Sequence, residues 1–237
     1  MLLEIIEGMD VTELLGIQKW EAPIPAQLAG EIKGVFPGFI PKTDQERIQN
    51  LSAELEIWKE KNYTWEVTEK LDGSSMTVYV RNGDAGVCSR NLELRQGESN
   101  SLWRVAIREQ LIEKLKSTGL NLALQGELVG EGIQGNRYGF SGQKFFVFDV
   151  YDIDAGRYYT PAMRQKLCKE LNIDHVPVIG VERKLTFETV QSLLALAEGK
   201  NEYGTRSCER EGLVFKCVET EASFKSISNK FLLKTGD

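Results

Sequence analysis

The chain predicts an α+β fold in which antiparallel sheets are flanked by helices. Three observations carry that expectation. Short strand-like runs dominate from residue 63 onward, and two of them flank Asn82-Gly83-Asp84, a strong hairpin signal. Apolar residues at helical spacing interrupt the runs between 102 and 115. Thr160-Pro161 then supplies a cap and a first-turn proline ahead of another helix.

Taken in order, residues 1–60 are mixed. Pro23, Pro25, Pro37 and Pro41 cut them into short pieces, and Thr43-Asp44 stands where it can cap a helix over 45–56. Residues 63–69 read as a strand, followed by strands at 75–80 and 85–89. Leu102, Val105, Ala106, Leu111, Ile112 and Leu115 share one helical face, and Gly119 ends that helix. Strands follow at 120–129 and 144–151. A helix opens at Pro161 and runs to about Leu171, and another covers 187–198 and stops at Gly199. Two strand-like runs, 212–218 and 223–233, close the chain. The sequence shows no repeat, low-complexity tract or flexible linker, and its length suits one large domain or two small ones.

At 237 residues the chain can bury a sizeable core, and 41% hydrophobic and 27% charged residues suit a soluble globular protein. No apolar run approaches the ~20 residues of a membrane span, and the first residues lack the basic start of a secretory signal. Cys88, Cys168, Cys208 and Cys217 show no Cys-x-x-Cys spacing, so neither a zinc site nor a disulfide framework is expected. A reducing intracellular compartment is the default. A net charge of −6 and a pI near 5.2 argue against a broadly basic, nucleic-acid-coating surface. A local basic groove remains compatible with both, because binding follows the field at the site.

Lys70-Leu71-Asp72-Gly73 is the most informative segment. A lysine attacks phosphorus only as the free amine, yet its reference pKa is about 10.4. Desolvation or a nearby positive charge must therefore favour the neutral form. Asp72, two residues on along an extended chain, points to the same side and can hold a hydrated metal there. Gly73 permits a sharp turn and a close backbone approach.

Further segments extend the pattern. Arg90 in Ser89-Arg90-Asn91 can bind a ribose or phosphate oxygen. Glu127 lies mid-strand beside Gly126, with a solvent-facing edge glutamate as the plain alternative. Phe146 and Phe148 share a strand face and can offer a ring to a base, whereas core packing must hold for Phe145 or Phe146. In Glu211-Gly212-Leu213-Val214-Phe215-Lys216, alternation puts Val214 and Lys216 on one face, and Glu211 joins them only if Gly212 bends the start. Lys225 and Lys230 suit a phosphate. Gly130-Glu131-Gly132-Ile133-Gln134-Gly135 fits the dinucleotide glycine pattern, but no helix opens after it, so it reads as a loop bordering the site. His175, the sole histidine, has no partner for a metal pair and is assigned a surface or packing role. Trp58, Trp65 and Trp103 are assigned to the core.

Together these segments resemble the collinear motifs of the covalent nucleotidyltransferases, the polynucleotide ligases and mRNA capping enzymes. Lys70 to Gly73 stands where motif I is found and Arg90 where motif Ia is. Glu127 follows as motif III, residues 146–149 as motif IIIa, residues 211–216 as motif IV and Lys225 as motif V. The likeness spans roughly 63–234. Residues 41–49, 130–138 and 223–234 are similar to ATP-dependent RNA ligases that join 3′-OH and 5′-phosphate ends, in particular nick-sealing ligases with an OB domain ahead of the catalytic domain.

The resemblance implies a nucleotidyltransferase domain of the ligase (ATP-grasp-like) kind, a single adenylyltransferase domain over 1–237 with the OB module absent from this chain. It implies that Lys70 takes AMP from ATP, that AMP passes to an RNA 5′-phosphate, and that a 3′-OH then seals the bond. Asp72, Glu127 and Glu211 would hold hydrated Mg²⁺ or Mn²⁺. Lys216 and Lys225 would contact the α-phosphate, Phe148 and Val214 would enclose adenine, Glu69 would lie near its edge and Arg90 would touch the ribose. Arg47 and Lys42 would reach the pyrophosphate end. Motif V often reads Lys-x-Lys, whereas Ser226-Ile227 follow Lys225 here, leaving Lys230 as the candidate second lysine. The implied partner is RNA with 5′-phosphate and 3′-OH ends in a nicked duplex, with no membrane and no obligate protein partner. Two alternatives stand: a DNA ligase or GTP-using capping enzyme, and a nucleotide- or RNA-binding module without catalysis. The intact set of Lys70, Asp72, Glu127, Glu211, Lys216 and Lys225 speaks against the last.

Overall fold

The computed structural model describes residues 11–12, 14–16, 30–97 and 99–235. The chain divides into two compact units, residues 1–30 and 31–237. In the first, the Leu15 N–H donates to the Val11 carbonyl at 2.9 Å.

Two sheets build the second unit. One has seven strands: β1 (Ile32–Val35), β4 (Ser74–Arg81), β5 (Asp84–Cys88), β6 (Leu92–Leu94), β7 (Leu122–Gly130), β8 (Gln143–Asp152) and β9 (Arg157–Tyr158). They lie in the order β1-β6-β5-β4-β7-β8-β9, every neighbour antiparallel. The other sheet contains β2 (Glu46–Arg47), β3 (Thr64–Lys70), β10 (Val178–Lys184), β11 (Gly212–Cys217) and β12 (Ser223–Ile227). Its order is β10-β3-β11-β12-β2, and only the β12–β2 pair is parallel. The antiparallel α+β expectation therefore holds.

Each sheet buries its outer face under helices. Against the seven-stranded sheet pack α2 (Ser101–Arg108), α3 (Leu111–Ser117) and α4 (Pro161–Glu170). Met76, Val78, Leu124, Leu128, Phe145 and Val147 form their shared core. The five-stranded sheet is covered by α1 (Ser52–Glu60) and α5 (Val190–Ala197), over a core containing Trp65, Val67, Phe215 and Phe224. Trp58 closes that core, stacked on Phe224 at 5.5 Å between ring centroids. All three tryptophans expected in the interior are there. A last helix, α6 (Asn229–Thr235), ends the described chain. Among the described residues no helix is long and apolar enough to cross a membrane.

Several elements differ from expectation for identifiable reasons. The helix predicted over 45–56 starts only at Ser52, because residues 46–47 pair with β12 and 48–50 form a 3₁₀ turn that drops Ile48 into the core. The helix over 102–115 is broken by Gln110, which adopts a left-handed φ of 54° between α2 and α3. The run 223–233 is strand only to Ile227. The Ser228 hydroxyl then accepts the Phe231 N–H at 3.2 Å and starts α6. Strands β1, β6, β9 and β10 escaped prediction. Three are four residues or shorter, and β10 is an edge strand whose apolar residues face solvent, so no alternation marks it.

Between the sheets lies a buried ionic network. Arg164 on α4, only 1% exposed, pairs with Glu66 on β3 and stands 3.7 Å from Asp149 on β8. Asp149 also pairs with Lys216 on β11 at 2.5 Å. The Arg164 Nε donates to His175 Nε2 at 2.9 Å, so Nδ1 carries the imidazole proton and donates it to the Val176 carbonyl at 2.6 Å. Two anions and two cations thus neutralise one another across the seam, as burial requires.

Two predictions follow from this packing. At Gly126 a Cβ would fall 2.4 Å from the Phe146 carbonyl and 2.5 Å from the Phe145 ring. Gly126→Ala is expected to destabilise the fold by ~1–3 kcal/mol in urea titrations; an unchanged midpoint would mean that β7 and β8 are less closely apposed. His175 is held neutral, its pKa lowered from 6.5 to about 4 by burial and then by Arg164. Between those values the unfolded chain binds the extra proton, so the stabilisation is complete above pH 6.5 and lost as pH falls through about 4. His175→Gln should flatten stability against pH in that window, and an unaltered slope would show that another group titrates there.

Candidate active site

Strand alternation aligns the chemistry. On β3, Glu66, Thr68 and Lys70 share one face, while Trp65 and Val67 point into the core. Register sets Gly212 opposite Lys70, and Val214 opposite both Thr68 and Lys225. Lys216 pairs with Glu66 in the ladder and lies on that same face. The seven-stranded sheet answers with Glu127 on β7, opposite Phe146 on β8. A bulge at Phe148 lets β8 slip by one residue, so that Phe148 lines the pocket while Asp149 meets Lys216.

The pocket between these faces holds about 130 Å³. Phe148, Val176, Val214 and Leu71 supply apolar wall, and Lys70, Glu127, Lys216 and Lys225 supply charge. Thr43, Asp44, Gln45 and Arg90 border it as well.

Lys70 and Glu211 pair at 2.7 Å, both partly buried. Glu211 precedes β11, so the alternation that would send it to the other face does not bind it. Gly212 beside it packs tightly on β12, where a Cβ would lie 2.2 Å from the Ser226 carbonyl. Gly73 works similarly. A Cβ at Gly73 would meet the Leu128 carbonyl at 2.3 Å, so the turn after Lys70 lies hard against β7 and its N–H reaches the Glu127 carboxylate. Sequence reasoning anticipated a close approach at Gly73; the structure shows the neighbour to be β7.

Burial dominates the electrostatics. Glu127 is pushed up to about 8 by desolvation, with Lys70 pulling the other way and Glu211 and Asp72 adding to the rise. Burial also raises Glu211, against the pull of Lys70. Lys216 is driven down to about 8 by burial, partly offset by Asp149, and its ammonium also donates to the Phe148 carbonyl at 2.6 Å. Lys225 is lowered by burial and then by Lys70. Glu127 and Glu211 thus crowd one amine and both are pressed toward neutrality, with Asp72 near enough to add to the rise of each.

Among the described residues no group of three His, Cys, Asp or Glu is arranged to ligate a metal directly. The donors nevertheless suit a hard divalent cation held through its water shell: they are all carboxylates, and Glu127 feels the charges of both Glu211 and Asp72. Asp72 already has a partner, Arg137, at 2.8 Å.

The other expected residues lie at varied distances from this centre. Glu69 lines the pocket, but its side chain belongs to the face opposite Lys70. One of its carboxylate oxygens accepts the Glu202 N–H at 2.8 Å, the other is buried without a partner, and desolvation raises the group to about 7. Arg90 pairs with Asp44 at 2.8 Å on the exposed rim. Arg47 stands beside Lys225 in the β12–β2 pairing, and Lys42 donates to Asn91 at 3.1 Å. Lys230 sits on α6 paired with Glu198 at 2.7 Å, outside the pocket lining. The 130–135 segment is a loop containing a 3₁₀ turn, as expected.

Sequence reasoning missed Arg137 and Tyr138, which act on Asp72, and Arg164, which anchors Asp149. An arginine and a tyrosine inside a glycine-rich loop were the available signal.

The profile of the RNA ligase family matches residues 63–233. Solved structures of the Naegleria gruberi RNA ligase share the fold. Its complex with PPi is 50% identical with a TM-score of 0.82, covering 97% of this chain and 68% of that one. A lysine-to-alanine variant with ATP and Mn is 49% identical with a TM-score of 0.82, over 97% and 67%. A lysine-to-methionine variant with AMP and Mn is 49% identical with a TM-score of 0.81, over 96% and 67%. Among curated proteins no sequence matches. With 49% identity over nearly its whole length and motifs set around one pocket, the chain belongs to the RNA ligase family.

Proposed function

We propose that this chain is the adenylyltransferase domain of an ATP-dependent RNA ligase acting through a lysyl-AMP intermediate. One observation carries the reading: the Lys70 amine, 2.7 Å from Glu211, borders a pocket that combines an apolar slot with two further lysines. The Naegleria relatives with ATP, AMP or PPi support the same chemistry.

Lys70 attacks the α-phosphorus of ATP as a free amine. An N–P bond forms, the bond to the bridging oxygen breaks, pyrophosphate leaves, and the amine gives up its proton to a neighbouring carboxylate or water. An oxygen of an RNA 5′-phosphate then attacks the adenylate, and Lys70 departs and is reprotonated. Finally a 3′-OH attacks the activated end, forming the phosphodiester and releasing AMP. Lys216 and Lys225 hold the α-phosphate oxygens, and burial is what lowers the pKa of each. Phe148 and Val214 enclose the adenine, where stacking is worth ~1–3 kcal/mol. Glu69 lies near the base edge and Arg90 at the ribose, with Arg47 and Lys42 toward the pyrophosphate. Asp72, Glu127 and Glu211 hold hydrated Mg²⁺ or Mn²⁺, which when bound supplies the charge that favours the free amine and offsets charge developing at phosphorus. The RNA is a 5′-phosphate/3′-OH pair, with a nicked duplex as the preferred context.

Incubation with ATP and Mn²⁺ should add one adenylate mass to the intact protein, and GTP should add nothing. A guanylate adduct formed in preference would reassign the nucleotide. Lys70→Ala should melt cooperatively yet show no adduct; an adduct in that variant would put the nucleophile elsewhere.

A further inference from the structure

The loop between β7 and β8 reaches back over the Lys70 turn. From it the Arg137 guanidinium pairs with Asp72 at 2.8 Å and donates to the Glu209 carbonyl at 3.0 Å. Its carbon lies 4.3 Å from the ring centroid of Phe231 on α6, a stacked cation–π contact. Tyr138, 2% exposed, accepts the Asp72 N–H on its hydroxyl at 2.7 Å. Asp72 is thus gripped at both its backbone and its carboxylate by consecutive residues.

The contacts close a ring. Lys70 pairs with Glu211, whose carbonyl accepts the Ser228 N–H at 2.8 Å. The Ser228 hydroxyl starts the turn that carries Phe231, on which Arg137 rests before returning to Asp72. Two carboxylates beside the nucleophile are therefore tied to one another through α6. The charge count explains the need. Asp72 raises both Glu127 and Glu211, a repulsion that Lys70 and, for Glu211, Lys225 offset only in part. A carboxylate offers about four lone-pair positions, so one bond from Arg137 leaves the rest of Asp72 open.

We propose that Arg137 is the positioning residue of the Lys70 centre, holding Asp72 ready for a hydrated divalent cation and using Phe231 as its platform. This deepens the ligase reading and rests on it. The guanidinium fork with an aromatic beneath it suits the task in a way that a flexible ammonium does not.

The test measures adenylate formation against Mn²⁺ concentration for the wild type, Arg137→Met, Arg137→Lys and Phe231→Leu. Arg137→Met should raise the half-maximal Mn²⁺ concentration ~10-fold, in the range seen for lost outer-shell partners, with little change in KM for ATP. Arg137→Lys should recover part of the loss, and Phe231→Leu should shift it in the same direction by less. A second readout avoids turnover. In a Lys70→Ala background, the Mn²⁺-dependent rise in melting temperature at fixed ATP should shrink when Arg137→Met is added. Unchanged midpoints in the Arg137 variants, with the wild type charging normally, would overturn the positioning role and leave the ligase reading intact. Should Arg137→Met fail to melt cooperatively, Arg137→Lys and Phe231→Leu decide, and wild-type midpoints in both overturn the proposal. No adduct on the wild type, or no Mn²⁺-dependent rise in Lys70→Ala, would overturn the underlying reading and this inference with it.

Discussion

The 2.7 Å pair between Lys70 and Glu211 is the interaction on which the proposed chemistry depends, because both residues sit at the ends of neighbouring strands that face the opposite sheet. Glu127 approaches the same amine from that other sheet, and burial pushes it toward neutrality. Such crowding of carboxylates is costly in an empty pocket. It becomes favourable when positive charge arrives, and it selects for ligands that bring cations with their phosphates. The architecture therefore concentrates its electrostatic tension around Lys70.

The rest of the fold keeps the two sheets at the distance this arrangement needs. Arg164, Glu66, Asp149 and Lys216 form a nearly neutral cluster across the seam, with His175 neutral at its edge. Asp149 has a double part in it. It pairs with Lys216 at 2.5 Å and has Arg164 beside it at 3.7 Å, so its charge is offset from two sides. On the opposite side, the loops around Tyr138 and Gly204 interlock: the Thr205 and Arg206 N–H groups both donate to the Tyr138 carbonyl, and a Cβ at Gly204 would sit 2.3 Å from it. That second bridge holds the Lys70 turn in place.

Much of the site could be read from the sequence because its residues lie in strands, where a period of two says which side chains share a face. Lys70, Val214 and Lys216 follow that rule. Glu211 escapes it by preceding β11. The unread parts depend on tertiary reach. Arg137 acts on a residue 65 positions away, and nothing in its own loop says which carboxylate it will find. Strand β10 shows no alternation because its apolar residues face outward at a sheet edge. The helix α6 follows a strand without a glycine or proline between them, so the change from a period of two to 3.6 rests on Ser228 alone.

The chemical linkage of the adduct tests the central claim most directly, since the proposal makes the Lys70 nitrogen, and none of the neighbouring carboxylates, the attacking group. Isolated after reaction with ATP, the adenylylated protein should keep its AMP in alkali and lose it in mild acid, as a phosphoramidate does. Loss of AMP in alkali, with rapid release by neutral hydroxylamine, would mark a mixed anhydride on Asp72, Glu127 or Glu211, and would contradict Lys70 as the nucleophile.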